Sequence, residues 1–350
     1  MSYSSFWPKL PKPIFALAPM ANVTDAAFRQ IISKYGKPAV FWTEFVSVEG
    51  LLSRGREKLL PDLWFTPEEK PIVAQIFGGK PEQFYEIAPL LVKLGFDGVD
   101  INMGCPDKGV EKSGGGASLI KDPQRAQEVI RALQKGIADA GSSIPVSVKT
   151  RIGYNKNEME TWLPAILETK PAALTVHLRT RKEMSDVPAH WELMTRIVEL
   201  RNQYSPETVL LGNGDVKDLA EARQRVKETG CDGVMLGRAI FGNPWLFRGA
   251  EKPRSERESA SESSYIPTTE EKLRVAIEHT QLFEVLYGPK KSGERWLKDF
   301  ANMKKHFKAY VNGFDGAKEL RIKMMEAETV KDIEFLVSEF LRGGLFVNRH

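Results

Sequence analysis

The sequence predicts an α/β fold: a (β/α)8 TIM barrel followed by a C-terminal all-helical bundle. Three observations carry this. Eight short apolar, β-rich runs alternate with helix-like stretches through the first 250 residues. Strands alternating with helices imply a parallel sheet, and eight such units in about 240 residues is the count of that barrel. After a polar break, four further stretches show helical periodicity and no strand pattern.

The apolar runs are Ile14–Ala18, Ala39–Phe45, Ile72–Phe77, Gly98–Asn102, Pro145–Thr150, Ala172–His177, Thr208–Asn213 and Gly233–Gly237. Thr24 and Asp25 precede Ala26–Tyr35, where Phe28, Ile31 and Ile32 share a helical face. Pro81 opens Glu82–Leu94, Asp122 and Pro123 open Gln124–Ala140, and Asp218 opens Leu219–Thr229. A doubly wound sheet is the alternative. It more often carries Gly-x-Gly-x-x-Gly after its first strand, and here that strand runs into Ala18, Pro19, Met20 and Ala21.

Glu251–Thr269 is rich in Glu, Ser, Arg and Pro with little to bury, and reads as a linker. Beyond it, Glu270–Leu286, Ser292–Tyr310, Ala317–Ala327 and Val330–Leu341 read as amphipathic helices, broken at Gly288-Pro289, Gly313 and Glu328-Thr329. The expected division is therefore 1–250, 251–269 and 270–350.

Of the 350 residues, 42% are hydrophobic and 27% charged, which excludes a disordered or fibrous chain. The longest apolar stretches, such as Ile14–Met20, fall far short of the roughly 20 residues of a membrane span. Met1–Leu10 has no signal-peptide pattern, so a cytoplasmic protein is the expectation. Lys and Arg number 50 against 46 Asp and Glu, a net charge of +4 too small to announce a nucleic-acid partner. Cys105 and Cys231 cannot make a disulfide framework. Cys231 reads as a small buried hydrophobe.

In such a barrel, chemistry sits at the C-terminal strand ends. Polar groups gather there: Gln75, Asn102 before Cys105, Lys149 and Arg151, His177 and Arg179, Asn213 to Asp215, and Arg238. Gly at the ends of the last two strands, with Arg238, suits an anion pocket for a phosphorylated cofactor. Lys149 is placed to steady negative charge on a reduced flavin ring. Cys105 stands in Asn102-Met103-Gly104-Cys105-Pro106, followed by the flexible Gly114-Gly115-Gly116. A thiol with pKa near 8.5 is protonated at neutral pH and serves as a general acid, or as a nucleophile once deprotonated. No second Cys or His lies at metal-ligand spacing, so no metal site is expected.

Together these segments resemble the tRNA-dihydrouridine synthases, flavin enzymes that reduce a uridine of tRNA. The matching pieces are Ala18–Asp25, Gln75, Asp100–Pro106 with its Gly run, Val148–Arg151, Thr175–Arg181, Gly212–Asp215 and Gly237-Arg238, in that order. Leu178 departs from the pattern, since many members have Gly after the histidine. The resemblance implies an FMN-binding catalytic barrel over 1–250 and a helical tRNA-binding unit over 270–350. By similarity, Pro19, Met20, Ala21, Gln75, Lys149 and His177 line the flavin. Asn213, Gly214, Asp215, Gly237 and Arg238 serve its ribityl-phosphate end. Asn102 lies beside a flipped uracil, with Arg179 a further substrate contact. In the family's mechanism NADPH reduces FMN, hydride passes from flavin to C6 of uracil, and the cysteine, here Cys105, protonates C5.

Charge along the chain fits that implication. Tyr287–Lys323 holds ten Lys and Arg against four Asp and Glu, a local excess of six. Within it, Lys304, Lys305 and His306 sit among Phe307, Lys308 and Tyr310, basic groups interleaved with aromatics as phosphate contact and stacking require. An FMN-dependent small-molecule oxidoreductase of the dihydropyrimidine or dihydroorotate type is the alternative. It accounts for the pocket but leaves the basic tail without a use.

Overall fold

The computed structural model describes residues 5–250, 265–289 and 296–343. Within them the strands are β1 (Ile14–Leu17), β2 (Phe41–Trp42), β3 (Val46–Ser47), β4 (Ile72–Phe77), β5 (Gly98–Met103), β6 (Val146–Gly153), β7 (Ala173–Thr180), β8 (Val209–Asn213) and β9 (Gly233–Leu236). They form one parallel sheet in the order β1-β9-β8-β7-β6-β5-β4-β2, with β3 also on β4. A bridge between Ala16 and Val40 joins the two ends and closes the ring. β2 and β3 are two pieces of one stave, so the barrel has the eight expected.

The second run was expected as one strand and is broken at Thr43–Phe45. Glu44, in the gap, is buried and turned toward Lys298. β6 and β7 extend three residues past the apolar runs. Arg151 and Arg179 end the apolar pattern, yet both are buried, with their guanidinium groups donating to the carbonyls of Gly104 and Val187.

Alternation along each strand sorts the residues. Phe15, Leu17, Ile101, Val148 and Val176 face the surrounding helices within one large core. Ile14, Ala16, Val40, Val73, Leu211 and Met235 fill the inside in a separate cluster. Trp7, buried and 5.8 Å from Trp42, plugs the N-terminal end.

The barrel helices are α1 (Ala26–Gly36), α2 (Pro81–Lys93), α3 (Pro123–Asp139), α4 (Met159–Leu167), α5 (Met194–Tyr204) and α6 (Leu219–Thr229). The aspartates read as openers do cap: Asp25 accepts from Phe28 N at 2.9 Å, Asp122 from Arg125 N at 3.0 Å, and Asp218 from Glu221 N at 2.7 Å. Cys231 is buried, and its Sγ donates to Gly233 O.

Four helices follow: α7 (Thr269–Tyr287), α8 (Asn302–Tyr310), α9 (Ala317–Glu326) and α10 (Val330–Leu341). Thr268 with Glu271 and Thr329 with Asp332 form capping boxes at two of them. Of the helix expected over Ser292–Tyr310, the described residues are helical only from Asn302. Asp299 Oδ1 accepts from Ala301 N, Leu297 N donates back to Tyr287 O, and Lys298 is drawn inward, so Trp296–Ala301 make no helical ladder. Lys290, Lys291 and Arg295, counted in the basic excess, lie outside the described residues, as does most of the expected linker.

The C-terminal helices share the core of the barrel helices. His279 of α7 stacks on Phe28 of α1 at 5.0 Å, and Tyr287 Oη accepts from Ala26 N at 3.0 Å.

Candidate active site

The register places Asn102 beside Lys149, Arg151 beside His177, His177 beside Asn213, and Gln75 beside Asp100. All of these positions are in phase with the interior, so the mouth of the barrel is polar where its floor is apolar.

The cysteine loop is held from several sides. Asn102 Oδ1 accepts from the backbone N–H of Gly104 at 3.1 Å and of Cys105 at 2.9 Å. Arg151 Nε donates to Gly104 O at 2.8 Å, and Ala117 N donates to Cys105 O at 2.9 Å. Gly116 has φ of +59°, and a Cβ there would lie 2.6 Å from Cys105 O. The glycine run thus lets its backbone pass against the cysteine. Cys105 itself is half-buried. Burial pushes its thiol up, so it keeps its proton at neutral pH.

Lys149 is half-buried, and no hydrogen-bond or ion-pair partner among the described residues reaches its ammonium. Burial, with Arg151 nearby, lowers it to about 8. His177 is held well below its ordinary value by burial and by Lys149 and the arginines around it. Arg179 Nη1 lies 3.1 Å from His177 Nε2. A guanidinium only donates, so Nε2 accepts and the neutral ring carries its proton on Nδ1.

At the strand β8 and β9 ends, Asn213 Nδ2 donates to Met235 O at 2.7 Å. Gly214 has φ of +133° and Asp215 of +55°. The Asp215 carboxylate pairs with both Arg179 and Arg238 and accepts from Ala189 N at 2.8 Å. Burial opposes its charge, yet Arg179 and the Ala189 N–H hold it below the usual range. Arg179 thus sits with the β8 end rather than beside Asn102. Pro19 is buried, Met20 half-buried and Ala21 exposed on the loop after β1, where Met20 N donates to Thr24 Oγ1 at 2.9 Å. Gly237 is half-buried and Arg238 exposed at the β9 end.

A family model described as Dihydrouridine synthase (Dus) matches residues 16–342. The chain belongs to the dihydrouridine synthase family. Members of that family reduce uridine in tRNA to dihydrouridine and depend on a flavin. A probable tRNA-dihydrouridine synthase of Staphylococcus aureus (strain COL) is 40% identical over 338 residues, 96% of this chain and 95% of the relative. A probable tRNA-dihydrouridine synthase 2 of Bacillus subtilis (strain 168) is 39% identical over 343 residues, 97% of this chain and 98% of the relative. Among solved structures, morphinone reductase aligns with a TM-score of 0.47 at 13% identity, over 72% of this chain and 91% of that one.

Two features of this dihydrouridine synthase family member were not legible as site residues. Asp100 accepts from Gln75 Nε2 at 2.7 Å, and Arg181 ties the end of β7 to the segment after Cys105 through Glu111 at 2.8 Å. Alternation along β5 puts Asp100 in phase with Asn102, and that is the signal that would have found it.

One expected substrate contact is corrected. His306 does not share the RNA-facing surface expected for it with Lys304 and Lys305. It is 1% exposed, 4.6 Å from the rings of both Phe28 and His279. On α8 it shares the inward face with Met303, Phe307 and Tyr310, so it packs the core and cannot meet a phosphate. Lys298 is likewise internal, leaving Lys304, Lys305 and Lys308 on the outward side of α8.

Proposed function

We propose that this protein reduces a uridine of tRNA to 5,6-dihydrouridine, with FMN as its flavin, NADPH as reductant and Cys105 as the acid. One observation carries the reading: a half-buried thiol stands on a loop braced by Asn102, and Asn102 lies in register with Lys149, whose ammonium meets no hydrogen-bond or ion-pair partner among the described residues. A structural lysine in that position would be expected to meet a carboxylate.

The mouth fits a flavin. Lys149 would hold a cation, paired with no described residue, toward the negative charge of a reduced flavin, and neutral His177 would present an Nδ1–H donor to the ring. Pro19, Met20, Ala21 and Gln75 complete the lining. Asn213, Gly214, Asp215, Gly237 and Arg238 hold the ribityl-phosphate end, where positive φ at Gly214 and Asp215 curls the backbone and Asp215 orients Arg238. The chemistry FMN would supply there, after reduction by NADPH, is a hydride for C6 of the uracil.

The rest falls to the chain's own groups. Asn102 is assigned to the substrate side, Arg179 to the ribityl-phosphate end through its pairing with Asp215, and Cys105 Sγ gives its proton to C5. The target base has to leave its stack to reach the mouth. Lys304 and Lys305 contact phosphates from α8. On this reading 1–250 is the catalytic unit, 251–269 the linker and 270–350 the tRNA-gripping unit, and the protein works in the cytoplasm.

The test is direct. Purified protein reconstituted with FMN should convert uridine to dihydrouridine in an unmodified tRNA transcript when NADPH is added. Cys105→Ala should keep FMN and lose most turnover. A protein that reduces free pyrimidines but leaves tRNA untouched would overturn the tRNA reading. Unchanged turnover in Cys105→Ala would overturn the acid.

A further inference from the structure

A carboxylate inside a barrel needs a reason. Asp100 is 1% exposed on the inward side of β5, and burying such a group is unfavourable unless every oxygen is satisfied. Its oxygens are satisfied. Ser147 Oγ donates to Oδ1 at 2.6 Å, and Gln75 Nε2 donates to Oδ2 at 2.7 Å.

The consequence runs upward through two amides. Gln75 gives its NH2 to Asp100, so its Oε1 faces Asn102, whose Nδ2 donates to it at 3.2 Å. With Nδ2 so used, Asn102 turns its Oδ1 to the backbone N–H groups of Gly104 and Cys105. Amides can be built in either sense, but here both ends of the chain dictate the same one. A carboxylate only accepts, and a backbone N–H only donates. No link in between has to compromise.

We propose that Asp100 is a positioning residue, the acceptor that sets the direction of a hydrogen-bond chain through Gln75 and Asn102 and thereby fixes the backbone of Cys105. Burial raises the carboxyl to about 6, with Ser147, Gln75 and Lys149 holding it back, so at neutral pH it is mostly the acceptor this requires. The same Gln75 lies in the expected flavin lining, so one buried carboxylate orients, on two adjacent strands, a group assigned to the flavin and a group assigned to the substrate. The proposal rests on the reading of Cys105 as the acid.

The experiment compares three variants of the FMN-loaded protein. Asp100→Leu removes the acceptor while keeping the branching and heavy-atom count of the side chain. Asp100→Asn keeps an acceptor oxygen for Gln75 and offers an NH2 to the Ser147 hydroxyl, so it preserves the direction. Cys105→Ala reports separately on the acid. Asp100→Leu should lower kcat for dihydrouridine formation at least tenfold, with KM for tRNA within twofold of the parent. Asp100→Asn should stay within threefold in kcat. Alkylation of Cys105 by iodoacetamide, followed by mass spectrometry with buried Cys231 as internal control, should change at least fivefold in Asp100→Leu and little in Asp100→Asn.

Parental kcat and labelling in Asp100→Leu, while Cys105→Ala is inactive, would overturn the proposal and leave the acid standing. Equal loss in Asp100→Asn and Asp100→Leu, with FMN bound in both, would also overturn it. Activity in Cys105→Ala would instead remove the reading beneath it. If Asp100→Leu does not fold, Asp100→Ala takes its place. Labelling of Cys105 then decides, because it needs neither tRNA nor turnover.

Discussion

Lys298, between α7 and α8, buries its ammonium against the carboxylate of Glu44 in the break between β2 and β3. Asp62 meets the same ammonium at 2.7 Å, and Glu44 also accepts from the backbone N–H of Asn22, next to the loop assigned to the flavin. One lysine therefore links the C-terminal helices to a mouth loop of the barrel. Replacing it by Met leaves Glu44 uncompensated and should destabilise the fold by about 3 kcal/mol. Adding Glu44→Gln should restore part of this. Urea unfolding of the single and double variants measures both, and additive losses would deny the coupling.

Acid should loosen the barrel–helix junction. His306 Nδ1 and His279 Nε2 are buried without a hydrogen-bond partner among the described residues, and burial holds His306 down to about 3 and His279 well below its usual value. Both are neutral in the folded protein and charge more readily unfolded. Their contribution is fully present above about pH 6.5 and declines as pH falls toward 3. At pH 5.5 one such histidine has lost about 1.4 kcal/mol relative to neutral pH. His306→Leu should flatten the stability–pH curve over that range, read by denaturant midpoints.

Lys149 gives the opposite limb. Its depressed value means that the charge expected to face the flavin disappears as pH rises through about 8. FMN affinity, followed by quenching of flavin fluorescence, should weaken across that point. Lys149→Met should bind more weakly at pH 7 and show no such limb.

Gly116→Ala tests the brace on the cysteine loop. Positive φ and a Cβ 2.6 Å from Cys105 O force the backbone to move. Stability should fall by about 1 to 2 kcal/mol. Dihydrouridine formation should drop at least tenfold while FMN content is kept. A variant with parental turnover would show that the loop has slack.

The outward lysines of α8 make a claim about salt. Substituting Lys304, Lys305 and Lys308 by Gln should weaken tRNA binding and reduce the slope of log affinity against log salt by about 2 to 3. Filter binding across a salt series reads the slope directly. His306 variants should leave it unchanged.

Much of the fold was legible because it follows from local periodicity. The apolar run Ile72–Phe77 coincides with β4, and Val330–Leu341 with α10. Asp25, Asp122 and Asp218 cap as read, since a cap depends on a few adjacent residues. What failed involved distant partners. Glu44 interrupts a strand and Lys298 shortens a helix because each answers the other across 254 positions. His306 looked like an RNA contact because neighbouring lysines surround it in sequence, but helical periodicity turns it inward beside Phe28.

The sequence by itself determined the barrel, its staves, the polar residues at their ends and the family, because strand alternation and the Asn102–Pro106 motif are local patterns. Only the tertiary structure decided that Asp100 hydrogen-bonds to Gln75 below Asn102, that no described residue pairs with Lys149, and which lysines of the tail face outward. Those are matters of register between strands and of burial between helices. Hydrogen-bond direction and charge compensation arise from neighbours in space, and a linear sequence does not place them.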